Sequence, residues 1–369
     1  MTKSHPIKHL ALTWLLQKSI LIYRIRRKLL QNKYFQLYKI QQLEFGLYKS
    51  NVQFERIETY ATPRNFSHFN RNFGETEHRS YPARYVYKVK NVVLDTVTGH
   101  IFAADQSLIL ESSTWTKSWH ISGSAPRVIS KPISSKFIKD YPAESIVLPS
   151  NSFFHWVSED LGPFLFIQKI RPLYKILVYK NADKYVKDFL VENNFHFDLV
   201  DRYIKFKEYE FISKCQDNSW PDPKDISVIR EDILANQVKP EMITGEFLYI
   251  SRLNSSRSPS FEKELEDKLL KNGWRIIYAE DLGFTQQVYN FGSAAVIAGV
   301  QGAGLVGTAW SKPGCKVIEI FDLDWRYTPV VARLAAIAGA EFHSIGFKRM
   351  DSNTALTIFD ELNRITKVF

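Results

Sequence analysis

The sequence is poor in cysteine, and its two cysteines cannot build a metal site or a disulfide framework. Cys215 and Cys315 lie far apart among 369 residues and form no CxxC pair. Structural zinc sites and small disulfide-bonded folds need several closely spaced cysteines. The sequence therefore excludes both classes and fits a reducing compartment, with a single bridge as the one remaining disulfide arrangement.

Acidic residues are missing from residues 1–40, which contain nine Lys and Arg. Of the 49 basic residues in the chain, the 40 outside this segment are balanced by 39 acidic ones, so the net charge of +10 belongs almost entirely to residues 1–40. A nucleic-acid-binding domain carries its basic residues on a folded recognition face. The charge distribution therefore argues against nucleic acid as a partner.

The N-terminal segment also lacks an apolar run long enough to span a bilayer. Its apolar stretch, residues 10–23, is followed by basic residues instead of a cleavage site, which argues against a signal peptide. Apolar residues recur at helical spacing, so we expect a basic amphipathic helix within residues 1–44. Such a helix can lie on an anionic membrane surface, here the inner face of the cytoplasmic membrane. The alternative is a helix docked on the body of the protein with its basic side in solvent.

Beyond residue 44 the sequence predicts two α/β domains. Residues 65–80 are polar and predict a loop, and residues 84–112 predict short strands in a meander or a pair of hairpins. Apolar strands and helices then alternate along most of the remaining chain, which is typical of parallel sheets. We therefore expect one domain over residues 45–238 and a second, Rossmann-like domain over residues 239–369.

Residues 151–159 (NSFFHWVSE) combine an imidazole and a carboxylate at a predicted strand-to-helix junction. His155 and Glu159 are four residues apart and share one face of a helix. A helix N-terminus that follows a parallel strand is where α/β proteins bind ligands, and either side chain could take a proton from a hydroxyl group. The alternative is a capped helix in which a partly buried His is paired with Glu for structural reasons.

Two further segments are suited to binding phosphate. Residues 249–257 (YISRLNSSR) predict a strand that leads into a polar loop, where Arg252 and Arg257 could clamp a diphosphate or simply be solvated. Residues 299–307 (GVQGAGLVG) predict a glycine-rich turn after another strand, where backbone N–H groups can approach a phosphate. The turn matches the dinucleotide fingerprint GxGxxG, but a Pro-Gly pair cuts the next helix too short for a nicotinamide or flavin site.

Three acidic residues stand near the end of these motifs. Glu319 interrupts the apolar strand predicted over residues 316–321, and a buried acid needs a partner, such as a ribose or sugar hydroxyl. An edge-facing Glu is the alternative. Asp322 and Asp324 form a DxD, which can hold a divalent metal on a nucleotide diphosphate. Because nothing else in the sequence supports a metal site, we interpret this DxD as a solvated loop.

Taken together and in this order, the motifs resemble glycosyltransferase family 61. The resemblance implies a GT-B-like architecture of two facing Rossmann-like domains with the active site between them. It extends from about residue 85 to residue 345, which is most of the chain outside the basic N-terminus. The segments that carry it are NSFFHWVSE at 151–159, YISRLNSSR at 249–257, LGFTQQVYNFGSAAVIAGVQGAGL at 282–305 and KPGCKVIEIF at 312–321.

The resemblance also implies an inverting, metal-independent glycosyltransferase. Its donor would be a nucleotide sugar and its acceptor a hydroxyl of a surface polysaccharide or glycolipid, such as a capsular polysaccharide or lipopolysaccharide. Residues 45–238 would hold the acceptor and residues 239–369 the donor, with no cofactor or metal. The expected catalytic residues are Glu159, as general base, and His155; the expected donor-binding residues are Arg252, Arg257, Gln301, Gly302, Ala303, Gly304 and Glu319; the expected acceptor-binding residues are Asn151 and Trp156.

Two positions depart from the family's pattern. Gln301 stands where the family usually has His, and Gln keeps hydrogen bonding but cannot carry a positive charge. Leu253 stands where a second Arg is common, which weakens the phosphate clamp. These departures motivate an alternative function, a non-catalytic scaffold on the membrane surface in a polysaccharide assembly complex. Such a scaffold would bind no nucleotide sugar.

Overall fold

The computed structural model describes most of the chain beyond residue 53. The amphipathic helix predicted within residues 1–44 lies outside the described residues, and so does Cys215. Within the part of the chain that is described, no helix is both long enough and apolar enough to cross a membrane. The described residues are 54–62, 64–70, 75–81, 83–103, 109, 112, 138–214, 221–237, 246–255, 257–324, 328–348 and 353–367.

From residue 145 onward strands and helices alternate, except that β10 follows β9 directly. The strands of the described residues are β1 (Phe54–Ala61), β2 (Arg64–Asn70), β3 (Glu75–Tyr81), β4 (Arg84–Asp95), β5 (Ile101–Phe102), β6 (Asp140–Tyr141), β7 (Ser145–Leu148), β8 (Lys175–Tyr179), β9 (Phe197–Val200), β10 (Tyr203–Ile212), β11 (Phe247–Ile250), β12 (Arg275–Ile277), β13 (Val296–Val300), β14 (Lys316–Asp322) and β15 (Glu341–Phe347). The helices are α1 (residues 153–170), α2 (Lys184–Glu192), α3 (Pro223–Gln237), α4 (Glu262–Lys271), α5 (Phe284–Ser293), α6 (Val330–Ala338) and α7 (Thr354–Thr366), with 3₁₀ turns at Ala279–Asp281 and Ala303–Trp310.

The C-terminal sheet is a fully parallel sheet with the strand order β12-β11-β13-β14-β15. Strand β11 is the first strand of this sheet in chain order. Strand β12 pairs with one side of β11, and β13 pairs with its other side. All five residues of β13 are buried, as expected for a parallel strand covered by helices on both faces. The parallel α/β sheet predicted for this part of the chain is confirmed.

The N-terminal region is more mixed than the C-terminal one. Strands β7, β8 and β9 form a small parallel sheet. Beside it lies a largely antiparallel sheet of order β1-β4-β10-β6, in which β5 also pairs with β4. The region therefore combines a short Rossmann-like unit with an antiparallel sheet.

Two local predictions in this region are wrong. Residues 65–80, predicted as a loop, contain the antiparallel pair β2 and β3, in register from Arg64 opposite Tyr81 to Asn70 opposite Glu75. Backbone pairing needs no apolar side chains, so polarity alone was a misleading signal. Residues 84–95 form one strand instead of two, because Asn91 takes a positive φ of 53° within β4 and the pairing continues past it.

One apolar cluster joins the N-terminal and C-terminal parallel sheets. The first turn of α1 packs against the turn at residues 303–310. The rings of Trp156 and Phe284 have centroids 5.8 Å apart, and those of Phe284 and Trp310 are 5.6 Å apart. This aromatic contact, called the seam below, sets the position of α1 relative to the glycine-rich turn.

Gly162 marks a close approach between α1 and α3, and this approach yields a prediction for stability. A Cβ atom at residue 162 would lie 2.6 Å from the carbonyl oxygen of Asp225 and 2.7 Å from its Cα. Because backbone atoms cannot rotate aside as a side chain can, we expect Gly162→Ala to lower the free energy of unfolding by about 1–3 kcal/mol. Urea denaturation measures the change.

Gly292→Ala is the matched control for this substitution. Gly292 also lies in a helix, α5, but a Cβ atom there would meet only the carbonyl oxygen of Trp310 at 3.6 Å. Alanine has the higher helix propensity, so we expect this variant to be as stable as the wild type or slightly more stable. Equal unfolding midpoints for the two variants would contradict the proposed backbone contact.

Candidate active site

The imidazole–carboxylate pair lies where α1 follows strand β7. Strand β7 ends at Leu148 and α1 begins at Phe153, so the helix N-terminus stands at the carboxyl edge of the small parallel sheet. Nδ1 of His155 lies 2.5 Å from Oε1 of Glu159. The contact expected from their spacing is therefore present.

Helix α1 contains a π-helical turn at this pair. Phe153–His155 and Leu161–Ile170 are α-helical, whereas Trp156–Asp160 between them is π-helical. All five residues of the π turn are buried, including the carboxylates of Glu159 and Asp160. Such turns are rare and are frequently found at functional sites. The turn therefore brings two adjacent acids into the interior of an otherwise apolar helix.

Solvent reaches the two members of the pair unequally. The side chain of His155 is 24% exposed, whereas that of Glu159 is 3% exposed. Burial lowers the pKa of His155, but the Glu159 carboxylate more than offsets this, and the pKa of His155 is raised above its usual value. When Nδ1 carries the proton that it donates to Glu159, Nε2 on the opposite side of the neutral ring is the nitrogen that can accept a proton.

A second buried ion pair adjoins the first. Nζ of Lys214 lies 2.5 Å from Oδ1 of Asp160, and the two side chains are 10% and 1% exposed. Burial raises the pKa of Asp160 in spite of this contact. His100, on the turn after β4, is also buried, and burial together with the charge of Lys214 lowers its pKa to about 4.

A cavity of about 60 Å³ lies beside these charges. A water molecule needs about 10–15 Å³ on this measure, so the cavity has room for several. Glu159, Asp160 and Lys214 supply its charged wall, and the remaining wall is mostly apolar and is formed by α1 and the antiparallel sheet. The charged groups therefore surround a space that can hold solvent inside the N-terminal region.

The phosphate-binding candidates meet at the carboxyl edge of the C-terminal sheet. Arg252 follows β11, and Gln301 and Gly302 follow β13; an Arg252 guanidinium N–H (Nη1) donates to the carbonyl oxygen of Gln301. Strand order reverses between β11 and β13, and this switch point is where open parallel sheets bind ligands. Residues 49 positions apart in sequence are thus brought together at the expected place.

The glycines of the turn permit close packing around Arg252. A Cβ atom at Gly302 would lie 2.8 Å from Nη1 of Arg252, and one at Gly304 would lie 3.0 Å from Cγ2 of Ile250. Ala303 begins the 3₁₀ turn that follows. Arg257 is exposed on the loop after β11, and burial together with the charge of Arg257 lowers the pKa of Arg252.

The acidic candidates near this edge differ in exposure. Glu319 is fully buried inside β14, where it pairs in register with Gly299 and Ser344, so it lies within the sheet instead of facing its edge. Asp322 accepts the backbone N–H of Asp324 at 2.9 Å, and Asp324 is exposed. The DxD is thus a short turn at the end of β14.

The two acceptor candidates have different surroundings. Asn151 is partly exposed, and its carbonyl oxygen accepts the hydroxyl of Tyr185. Trp156 is fully buried, with its ring packed near Phe284 and Phe189. An acceptor-facing role for Trp156 is therefore corrected: the ring is enclosed in the core, and it supports the site from within the seam.

Parallel sheets with an arginine and a glycine-rich turn at a switch point are features of Rossmann-like α/β proteins. Residues 153–318 match the family model Glycosyltransferase 61, and this match confirms the resemblance noted in the sequence. A search of curated proteins found no match. The matched segment includes His155, Glu159, Arg252 and the glycine-rich turn, and the match supports a glycosyltransferase.

Sequence reasoning missed the charges that surround the His155–Glu159 pair. Asp160 could have been noticed, because Glu-Asp is an unusual acidic pair within the apolar run WVSEDLGPFLF. Lys214 could not, because it approaches Asp160 from 54 positions away through the packing of β10 against α1. His100 likewise carries no local signal beyond its place after a Thr-Gly turn.

The buried His100 leads to a prediction for stability against pH. Its folded pKa of about 4 lies below the unfolded value of 6.5, so the unfolded chain takes up a proton first. The stability that neutral His100 contributes is complete above pH 6.5 and is lost as the pH falls towards 4. We expect wild type to lose about 2–3 kcal/mol more than His100→Gln between pH 7 and pH 4.5. Urea denaturation at both pH values gives the two losses, and equal losses would refute this role of His100.

Proposed function

We propose that the chain is an inverting, metal-independent glycosyltransferase with a GT-B-like arrangement of two domains. It transfers a sugar from a nucleotide sugar to a hydroxyl of a surface polysaccharide or glycolipid. The observation that carries this proposal is the juxtaposition across the seam: the first turn of α1, with His155, packs against the 3₁₀ turn that follows Gly302. This proximity supports a single site that combines a proton acceptor, the His155–Glu159 pair, with a phosphate-binding turn at residues 302–304.

In the proposed reaction the His155–Glu159 pair acts as the general base. The acceptor hydroxyl attacks the anomeric carbon, its proton passes to the pair, and the bond from that carbon to the diphosphate oxygen breaks. The sequence favoured Glu159 as the group that takes the proton directly. The burial of Glu159 favours His155 Nε2 for that contact, with Glu159 orienting the ring and stabilising the imidazolium that forms.

The departing nucleotide diphosphate carries the developing negative charge. Arg252 and Arg257 supply positive charge at the edge of the C-terminal sheet, and the backbone N–H groups of residues 302–304 supply dipoles. Glu319 is proposed to act from within the sheet on the nucleotide side. The proposed reaction uses no metal. The two arginines compensate part of the diphosphate charge in its place.

We further propose that residues 1–40 hold the enzyme on the inner face of the cytoplasmic membrane, near lipid-linked acceptors. The nine basic residues of this segment, without a single acid, support attraction to anionic lipid. Its partners are then the donor, the glycan or glycolipid acceptor and the lipid surface.

Substitution of the imidazole–carboxylate pair tests the base. We expect His155→Gln and Glu159→Gln each to reduce kcat by about 10²–10⁴-fold, because neither retains a base held in place by its partner. Transfer is measured as nucleotide diphosphate released in the presence of acceptor. Lys169→Ala is the control, because Lys169 is exposed near the other end of α1, and this variant should keep wild-type activity. Wild-type turnover by Glu159→Gln would remove the carboxylate from the mechanism.

Calorimetry with a set of nucleotide diphosphates and nucleotide sugars tests the donor site, with and without EDTA. We expect one nucleotide to bind with an affinity that EDTA leaves unchanged, and Arg252→Ala to weaken it about 10-fold or more, as for a lost charged hydrogen bond. Arg275→Ala is the matched control, because Arg275 pairs with Glu246 at the opposite edge of the same sheet.

Each contrary outcome of this experiment identifies another function. Loss of binding in EDTA would indicate a metal, with Asp322 and Asp324 as the first candidates. Absence of binding by every nucleotide would favour the non-catalytic scaffold, and Gln301 would then be the first residue to replace, by His.

A further inference from the structure

We propose that Lys214 and Asp160 form a buried ion pair that sets the charge of the His155–Glu159 pair, so that both act as positioning residues for proton transfer. This inference deepens the proposed function and rests on it for its catalytic meaning. The effect of the ion pair on the charge of the His155–Glu159 pair involves only side chains of this chain. It can therefore be measured separately from sugar transfer.

Three separate elements hold the ammonium group of Lys214 in place. Lys214 follows β10, its Nζ lies 2.5 Å from Asp160 on α1, and the same atom lies 3.5 Å from the carbonyl oxygen of Thr98. The turn after β4 closes over it, since a Cβ atom at Gly99 would be 3.6 Å from Nζ. With its side chain only 10% exposed, Lys214 cannot leave this position without breaking buried contacts.

The ion pair stands next to the proposed base in sequence and in space. Asp160 follows Glu159 directly, and both lie in the buried π turn. Lys214, Asp160 and Glu159 line the same cavity. The other charged or titratable groups around them are His155 on α1 and His100 after β4, which interact with one or more of the three. Asp95 and its partner Arg202 act on His100. Arg84 acts on Lys214 from β4.

The signs of these interactions oppose one another. The Lys214 ammonium favours ionised Glu159 and disfavours a proton on His155, whereas the Asp160 carboxylate has both opposite effects. In a buried site the charges are weakly screened, so removal of either one is felt at the pair. An ion pair that served stability alone would alter unfolding but would not move proton uptake in opposite directions.

The experiment measures kcat/KM for sugar transfer against pH in Lys214→Met, Asp160→Asn and the double variant. We expect the acid-side midpoint to move up by about one pH unit in Lys214→Met and down by about one unit in Asp160→Asn. The double variant should return close to wild type. Lys214→Arg keeps the charge and should restore the midpoint, and Lys205→Met on the same strand should leave it unchanged.

A second readout needs no activity. NMR titration of the His155 ring should show its pKa rising in Lys214→Met and falling in Asp160→Asn, for the same reason of charge. Folding of each variant is checked by urea denaturation. If one single variant does not fold, the double variant and the other single variant still give the comparison.

The outcomes separate this inference from the proposed function. If wild type transfers sugar but neither single variant shifts the midpoint or the His155 titration, the ion pair is structural and this inference is overturned. If wild type transfers no sugar from any donor, the proposed function fails, and the His155 titration alone decides whether Lys214 and Asp160 set the charge of the pair.

Discussion

The arrangement of the candidate site depends on the seam, where Trp156 and Trp310 both pack on Phe284. Both tryptophans are fully buried, one in α1 and the other at the end of the 3₁₀ turn after β13. Rings of this size interlock in a close-packed core and cannot shift independently. His155 directly precedes Trp156, and Gly302 directly precedes the 3₁₀ turn that ends in Trp310. Core packing thus aligns the two halves of the candidate site.

The seam also explains why two acidic residues of α1 are buried and need charged partners. A helix held at its first turn by a buried Trp brings the next residues, Glu159 and Asp160, into the interior, where isolated carboxylates are strongly disfavoured. The structure offsets this with one partner for each acid, His155 for Glu159 and Lys214 for Asp160. The two pairs lie in different environments, since solvent reaches His155 and barely reaches Lys214. This difference in exposure is why the His155–Glu159 pair, and not the Lys214–Asp160 pair, is the proposed proton acceptor.

Whether a feature could be predicted from the sequence depended mainly on how far apart in the chain its interacting residues lie. The α1 helix, the His155–Glu159 contact and the parallel C-terminal sheet rest on local spacing and strand–helix alternation, and they were predicted. The β2–β3 pair was missed, because its polar residues pair through the backbone. Lys214 was missed because its contact with Asp160 depends on how β10 packs against α1, 54 positions away in sequence. Trp156 was placed at an acceptor surface because an aromatic residue beside a catalytic motif has the same local signature whether it is exposed or enclosed.

The donor side shows why a departure from a family motif need not remove the site that the motif builds. Arg252 donates to the carbonyl oxygen of residue 301, a backbone group that every residue type provides. The side chain at this position can therefore change from His to Gln while Arg252 still anchors the turn. Gly302 is more constrained, because a Cβ atom there would stand 2.8 Å from Nη1 of Arg252 and would displace the guanidinium. The geometry of the phosphate-binding turn thus depends on Arg252 and Gly302. The change from His to Gln at position 301 alters only the charge and the hydrogen-bonding groups of the turn.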